Sequence, residues 1–385
     1  MDRKKLNIYI MYVIAFLQGM VFYSSVSTLY RQAQGLTLVE MSIIDSLFSI
    51  MIVVFEIPWG FVCDRIGYKK TMLICNGAYF ISKIIFFKAD CFFMFLLERI
   101  FLAIVVSGLS GCDTAFLYVS SEGKESTHVF GIFRAMGTSG LMIASCMCSL
   151  FIQEQYLKAA LWTIYPYTIA FVFTFFLKDV YVEKETSQRI SLHDFPQFFF
   201  SMKTMLSFLI AAALLTETTH TLGVFYNQLQ YQRAHIPVAY LGVIYSIITL
   251  LCAFSSTLLG RIVKYIQEMK FVLLLYVISF ISCFILVMTV SPFLSVLMIA
   301  FLQISEALFF PIMDTILNQQ VQLSRATTLS IYSMVMNTTA IFTNLIFGKC
   351  AEVSVIYAMI MGCVFCLIGF ILYVIWAKTQ KKHSI

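Results

Sequence analysis

The sequence predicts an all-α polytopic membrane protein, with twelve transmembrane helices in two pseudo-repeated six-helix bundles. Three observations lead there. The 385 residues are 60% hydrophobic and 12% charged, with a mean hydropathy of +0.88. A soluble domain has roughly 45–50% apolar and about 25% charged residues, so this chain has too little polar material to coat a globule. Its apolar residues also form runs near the length of about 20 that spans a bilayer. Finally, the basic residues between those runs fall unevenly on two sides.

Taken in order, the runs lie near 8–30, 41–63, 71–88, 91–118, 129–152, 161–178, 204–226, 239–260, 271–290, 293–317, 327–348 and 355–377. Barrel strands would show only about ten alternating residues each, which excludes a barrel. The first run has no small-residue cleavage site and reads as an anchor, not a removable signal. An even number of spans puts both termini on one side. That side receives 18 Lys and Arg residues and the other only Arg31, Lys88, Lys158, Arg233 and Lys349. The bias predicts cytoplasmic termini. The net charge of +6 is too small and too scattered for nucleic-acid binding. The eleven cysteines sit in apolar runs without the further ligands a metal site needs, so no metal or cofactor is expected.

The polar stretch "DVYVEKETSQRISLHD" (179–194) falls near the midpoint. It predicts an N-terminal bundle over 1–178, a cytoplasmic linker over 179–202 and a C-terminal bundle over 203–385. Two landmarks recur at nearly constant spacing: Gly60 and Gly260, 200 apart, and Asp113-Thr114 and Asp314-Thr315, 201 apart. Parallel repeats of six spans are one way to build a carrier with its site between the halves.

The second run ends in "EIPWGFVCDRIGYKK". Gly67 permits a sharp turn, and Arg65, Lys69 and Lys70 hold the turn at an anionic cytoplasmic face. Asp64 suits a neighbouring helix N-terminus, whose dipole favours an anion. The pattern G-x-x-x-D-R-x-G-x-K-K, formed by Gly60, Asp64, Arg65, Gly67, Lys69 and Lys70, resembles the signature loop of the major facilitator superfamily. With "SGCDTAFLY" and "RATTLSIYSM", the longer stretch from Gly35 to Lys70 is similar to a bacterial branch of exporters with an E-I-P-x-G lead-in. The resemblance implies a cytoplasmic loop between spans two and three, and an aspartate that latches the two halves in one state. It also implies a cavity lined by spans one, four, seven and ten. Tyr68 stands where the family usually has its first basic residue and Cys63 where it prefers a small one. The fifth span offers only Gly137 and Gly140 in "GTSG" instead of the G-P-x-x-G-G of family proton antiporters.

Ionisable residues inside spans are costly and normally face protein or an aqueous cavity. Asp45, Asp113, Arg134 and Asp314 lie near span ends, where reaching the interface is an equal alternative; Glu56 is a further acid in an apolar run. Arg99, two turns into the fourth span, is expected to share a helix face with Asp113 and to work in substrate or proton handling. Stapling two helices is its plainer role. Glu98 points about 100° away from it. Glu217 and His220 share a face of the seventh span among Thr216, Thr218, Thr219 and Thr221, and a carboxylate beside an imidazole can exchange a proton. Gln303 and Glu306 form a similar pair in the tenth, with Glu306 the best single candidate for a buried protonatable group. Gln18 in the first span and Asn337 in the eleventh add amides.

No G-x-x-x-x-G-K-[S/T] loop occurs, so ATP does not drive this chain directly. No H-E-x-x-H occurs either, and "GTSG" reads as small residues for close helix packing in preference to a protease serine. The expectation is a secondary transporter, not an enzyme. It would be a monomer in a bacterial inner membrane, moving a small amphipathic organic solute outward against protons by alternating access. An importer of the same fold, or a membrane receptor or enzyme without flux, are the alternatives.

Overall fold

The computed structural model describes residues 3–110, 112–121, 126–152, 155–179, 203–319 and 325–383. Contacts gather the chain into two compact units, Met1–Lys184 with Pro237–Thr249, and Glu185–Ile236 with Leu250–Ile385. All regular structure among the described residues is helical. The predicted linker lies, beyond Asp179, outside them.

Unit 1 holds α1 (Arg3–Gly19), a 3-10 turn at Ser24–Val26, α2 (Ser27–Ala33), α3 (Leu38–Ile66), α4 (Tyr68–Lys88), α5 (Phe92–Leu109), α6 (Cys112–Ser120), α7 (Ser126–Met147) and α8 (Tyr156–Phe175). Unit 2 holds α9 (Lys203–His220), α10 (Asn227–Arg233), most of α11 (Leu241–Tyr265), α12 (Glu268–Met288), α13 (Pro292–Gln319), α14 (Arg325–Val353) and α15 (Val355–His383). Two helices pass into π turns, α7 at Cys148–Ile152 and α9 at Thr221–Phe225.

Among the described residues, ten helical stretches are long and apolar enough to cross a membrane. Phenylalanines such as Phe93, Phe151, Phe254 and Phe342 stand exposed on the units, which suits lipid and not water. The sixth and eleventh expected spans are helices too, α8 and α14, but they are not among the ten. Lys158, Pro166 and three tyrosines dilute α8, and Asn337, Thr338, Thr339, Thr343 and Asn344 dilute α14. Two expected spans are interrupted. That over 8–30 leaves the α-helix after Gly19 and resumes at Ser27. The single helix read over 91–118 is two, because α5 stops at Ser110, whose ψ of 112° is not helical. The helical phase that would align Arg99 with Asp113 is therefore broken.

Local chemistry accounts for the ends. Thr37 and Glu40 form a capping box at the start of α3, with Glu40 N–H donating to Thr37 Oγ1 at 3.2 Å and Thr37 N–H to Glu40 Oε2 at 2.8 Å. Gly67 separates α3 from α4 at φ 84°, a left-handed conformation that glycine adopts without strain. Its N–H closes α3 on Cys63 O at 2.9 Å, and its carbonyl accepts from the Thr71 hydroxyl at 3.0 Å. Elsewhere in unit 1 glycine serves close approach. A Cβ on Gly19 would lie 2.0 Å from the Gly137 carbonyl oxygen, and one on Gly140 2.1 Å from that of Phe16. The "GTSG" stretch is thus a packing surface between α7 and α1.

The units share a local signature. α2 and α10, seven residues each, start at Ser27 and Asn227. Each is closed by the same bond, Leu36 N–H to Arg31 O at 3.1 Å and Ile236 N–H to Tyr231 O at 2.9 Å. Each turns on a left-handed residue, Gly35 at φ 89° and His235 at φ 57°. Each then caps a long helix C-terminus: the Tyr30 hydroxyl donates to Phe86 O at 3.2 Å, and Arg233 Nη1 to Leu286 O at 3.1 Å.

Candidate functional site

In unit 2 the two sequence-predicted pairs meet. α9 brings His220 and α13 brings Glu306 to 3.0 Å, Nδ1 to Oε1. The residues are 86 apart in sequence. The His220 side chain is 45% exposed and that of Glu306 14%. The pair therefore has one half-exposed and one largely buried member. Phe225 stands edge-on to the imidazole at 5.3 Å. Gln303, one turn before Glu306, donates from Nε2 to the Gly223 carbonyl at 2.6 Å. Gly223 lies in the π turn, where Tyr226 N–H reaches back to Thr221 O at 2.8 Å. A π turn leaves a carbonyl outside the regular ladder, and Gln303 satisfies one. Glu217 is half-buried one turn ahead of His220.

The hydroxyls expected around this pair are a correction. Thr216, Thr218 and Thr219 are buried and donate to their own helix, to the carbonyls of Ala212, Leu214 and Leu215 at 3.0, 2.7 and 3.0 Å. Such back-bonding is the low-energy refuge for threonine inside an apolar helix. The same holds in α14, where Thr338 and Thr339 bond Met334 O and Val335 O. Asn337 donates to Ser333 Oγ at 3.3 Å. Asp314 is exposed on the last turns of α13 and Asp113 is half-buried on α6.

Unit 1 holds a second constellation, built on Arg99. Its Nη2 lies 3.0 Å from Asp45 Oδ1 of α3 and its guanidinium 5.2 Å over the Phe48 ring. The nearer partner of Arg99 is thus Asp45 of another helix. Glu98, 1% exposed, reaches back to within 3.8 Å of Arg99 Nε. Among the described residues, neither Glu98 Oε2 nor Arg99 Nε has a hydrogen-bond partner.

Two basic residues here escaped the sequence reading. Lys83 is buried in α4, with Nζ donating to the Tyr23 hydroxyl at 3.0 Å. It stands 5.0 Å from the ring of Tyr79 and 4.9 Å from that of Tyr167. The one available signal was a lysine inside an apolar helix, five residues before its end at Lys88. Arg31, counted above among the outer-side cations, is buried beside Phe86 with its Nε unpartnered. Gln18 joins helices of the same unit: its Nε2 donates to Asn76 Oδ1 at 2.7 Å, and Asn76 Nδ2 to Thr174 Oγ1 at 2.8 Å.

The signature loop is the α3–α4 turn. Arg65 and Lys70 are exposed and Lys69 half-buried around Gly67, and Gly60 lies within the last turns of α3. The Asp64 backbone continues α3, but its side chain lies outside what is described. Glu56 faces outward from α3.

A sequence profile of the Major Facilitator Superfamily matches residues 8–324. The chain belongs to that superfamily. Solved structures with this fold include a point mutant of the nucleoside transporter NupG, 17% identical, with a TM-score of 0.83 over 98% of this chain and 99% of that one. A bacterial homolog of the human lysosomal transporter Spinster, inward-facing and unoccupied, is 14% identical with a TM-score of 0.73 over 99% and 98%. The POT family transporter PepTSo is 11% identical with a TM-score of 0.74 over 100% and 99%. No curated protein matches the sequence. The superfamily member is accordingly a multi-pass membrane protein with a transporter fold; at these identities the likenesses speak for the fold alone.

Proposed function

We propose that this superfamily member is a proton-coupled secondary transporter that exports a small amphipathic organic solute by alternating access. The observation carrying the proposal is the His220–Glu306 contact at 3.0 Å. An imidazole and a carboxylate joined across two helices, one member half-exposed and the other mostly buried, can take a proton from an aqueous cavity and hold it where charge is costly. Protonation changes how strongly α9 is tied to α13, which links proton occupancy to helix position. Glu217 and Gln303 flank the pair, while Arg99, Asp113, Asp314, Gln18 and Asn337 remain candidates for substrate contact. Asp64, with Gly60, Arg65, Gly67, Lys69 and Lys70, is the proposed latch for one state.

The wider architecture belongs to the proposal. Twelve spans would form two repeats of six, over 1–178 and 203–385, joined by a cytoplasmic linker. Supporting this are the equal lengths of α2 and α10 and their matching turns at Gly35 and His235. The excess of basic residues on the side of the termini supports cytoplasmic ends in a bacterial inner membrane.

The test uses inside-out vesicles under an imposed proton gradient, challenged with tetraphenylphosphonium, a neutral antibiotic, a dipeptide, a sugar and, given the NupG likeness, uridine. Collapse of the gradient by one compound, lost in Glu306→Gln, is the expected result. If that compound still collapses the gradient in Glu306→Gln, this pair is not the coupling site. If no compound moves protons while one accumulates in intact cells, the direction is import.

A further inference from the structure

Unit 1 buries more cations than its contacts require. Among the described residues of this cluster, Arg31 and Lys83 are buried and Arg99 half-buried, and the carboxylates beside them are two, Asp45 and Glu98, both ion-paired to Arg99. Arginine keeps its proton under all protein conditions, so Arg31 and Arg99 are fixed charges. They balance Asp45 and Glu98, and the odd charge falls on Lys83. Lysine is also the cation that gives up its proton when desolvated.

The surroundings of Lys83 fit either charge. The groups facing it are Tyr23 ahead of α2, Tyr79 on its own helix, Tyr167 of α8, Glu98 and Arg99 of α5, and Arg31 of α2. Among the described residues no carboxylate pairs with it. Three aromatic faces stabilise an ammonium by cation–π attraction, and they are equally good apolar walls for a neutral amine. Its hydrogen-bond partner is a phenol, which both donates and accepts. By contrast, a lysine serving only as a structural cation inside a membrane protein would be held by a carboxylate or by carbonyls.

We propose that Lys83 is a proton-exchanging residue, the variable charge of unit 1. In the step, the Lys83 ammonium releases one proton to bulk water and becomes a neutral amine. The Tyr23 hydroxyl then reverses its role, donating to the Nζ lone pair that the release uncovers. This five-residue cluster passes from one net positive charge to none, and Arg31, Arg99, Asp45 and Glu98 keep theirs. The assignment goes beyond the His220–Glu306 reading and does not rest on it.

The test reads Lys83 itself. The full chain, labelled with carbon-13 at lysine Cε, is placed in detergent micelles and its resonances followed from about pH 6 to about pH 9, where free lysine stays charged. The Lys83 signal is identified by its loss in Lys83→Gln. The expected result is a Lys83 signal that moves from the ammonium to the amine position inside this window, while those of Lys69 and Lys70 stay put. A signal fixed at the ammonium position throughout overturns the proposal. If Lys83→Gln does not fold, Tyr23→Phe keeps the lysine and removes its partner. One lysine signal should then shift in position and in titration, and a set of lysine signals indifferent to Tyr23→Phe equally overturns the assignment. No transported compound is needed, so a failure here leaves the His220–Glu306 reading standing, and the reverse.

Discussion

The polar residues of unit 1 and those of unit 2 solve the same problem differently. Around Arg99 the charges are numerous and enclosed: Glu98 is 1% exposed, and the Arg99 and Asp45 side chains 14% and 19%. Around His220 there is one pair, with the imidazole side chain 45% exposed. An enclosed charge must keep its partner, because removing one member strands the other in a medium that cannot solvate it. A half-exposed pair loses little when it opens. The difference separates an enclosed cluster from a pair that opens at little cost, as the proposed coupling role requires.

Stability measurements on single variants can break this contrast. Arg99→Met should cause the largest loss, about 3 kcal/mol, since it leaves Asp45 and Glu98 without their guanidinium. Thermal unfolding in detergent checks this, and adding Asp45→Asn should recover part of the loss, as expected for residues in contact. If Arg99→Met melts like the parent, the cluster is solvated and the contrast disappears.

Glycines offer the next comparison. At Gly140 a new Cβ meets the Phe16 backbone oxygen at 2.1 Å, whereas at Gly223 it meets the flexible Gln303 Cγ at 3.0 Å. Gly140→Ala should therefore cost about 1–3 kcal/mol through forced helix separation, and Gly223→Ala clearly less. Equal melting temperatures for the two would show that α1 and α7 yield more easily than their packing implies.

The matching turns give a smaller and opposite pair of effects. Gly35→Ala should destabilise by about 1 kcal/mol, while His235→Gly should stabilise by several tenths, because only His235 holds a side chain at positive φ. Smallest in stability is Glu306→Gln, expected within about 1 kcal/mol of the parent because its histidine partner is partly solvated. Proton-driven flux should nevertheless vanish. A large fall in melting temperature would place Glu306 with the enclosed charges.

Much of this arrangement was legible in the chain. Gly67 in "DRIGYKK" pointed to a sharp turn and takes φ 84°, because only local sterics were at stake. His220, Gln303 and Glu306 stood out as polar groups in apolar runs. Their partners did not. Spacing along one helix offered Glu217 to His220 and Asp113 to Arg99; it could not offer Glu306 of α13 or Asp45 of α3. Threonines near His220 looked like site hydroxyls until the helix backbone claimed them. Lys83 was overlooked because one basic residue scarcely changes the hydropathy of a 21-residue helix.

By itself, the sequence determined the solvent, the helical class and the family, since hydropathy, charge bias and a loop motif are properties of neighbouring residues. Only the tertiary structure decided which charges are enclosed and which are exposed, and which acid meets which base. Those outcomes depend on distances between helices that are far apart along the chain. Periodicity fixes the face on which a side chain stands, but not the helix packed against it.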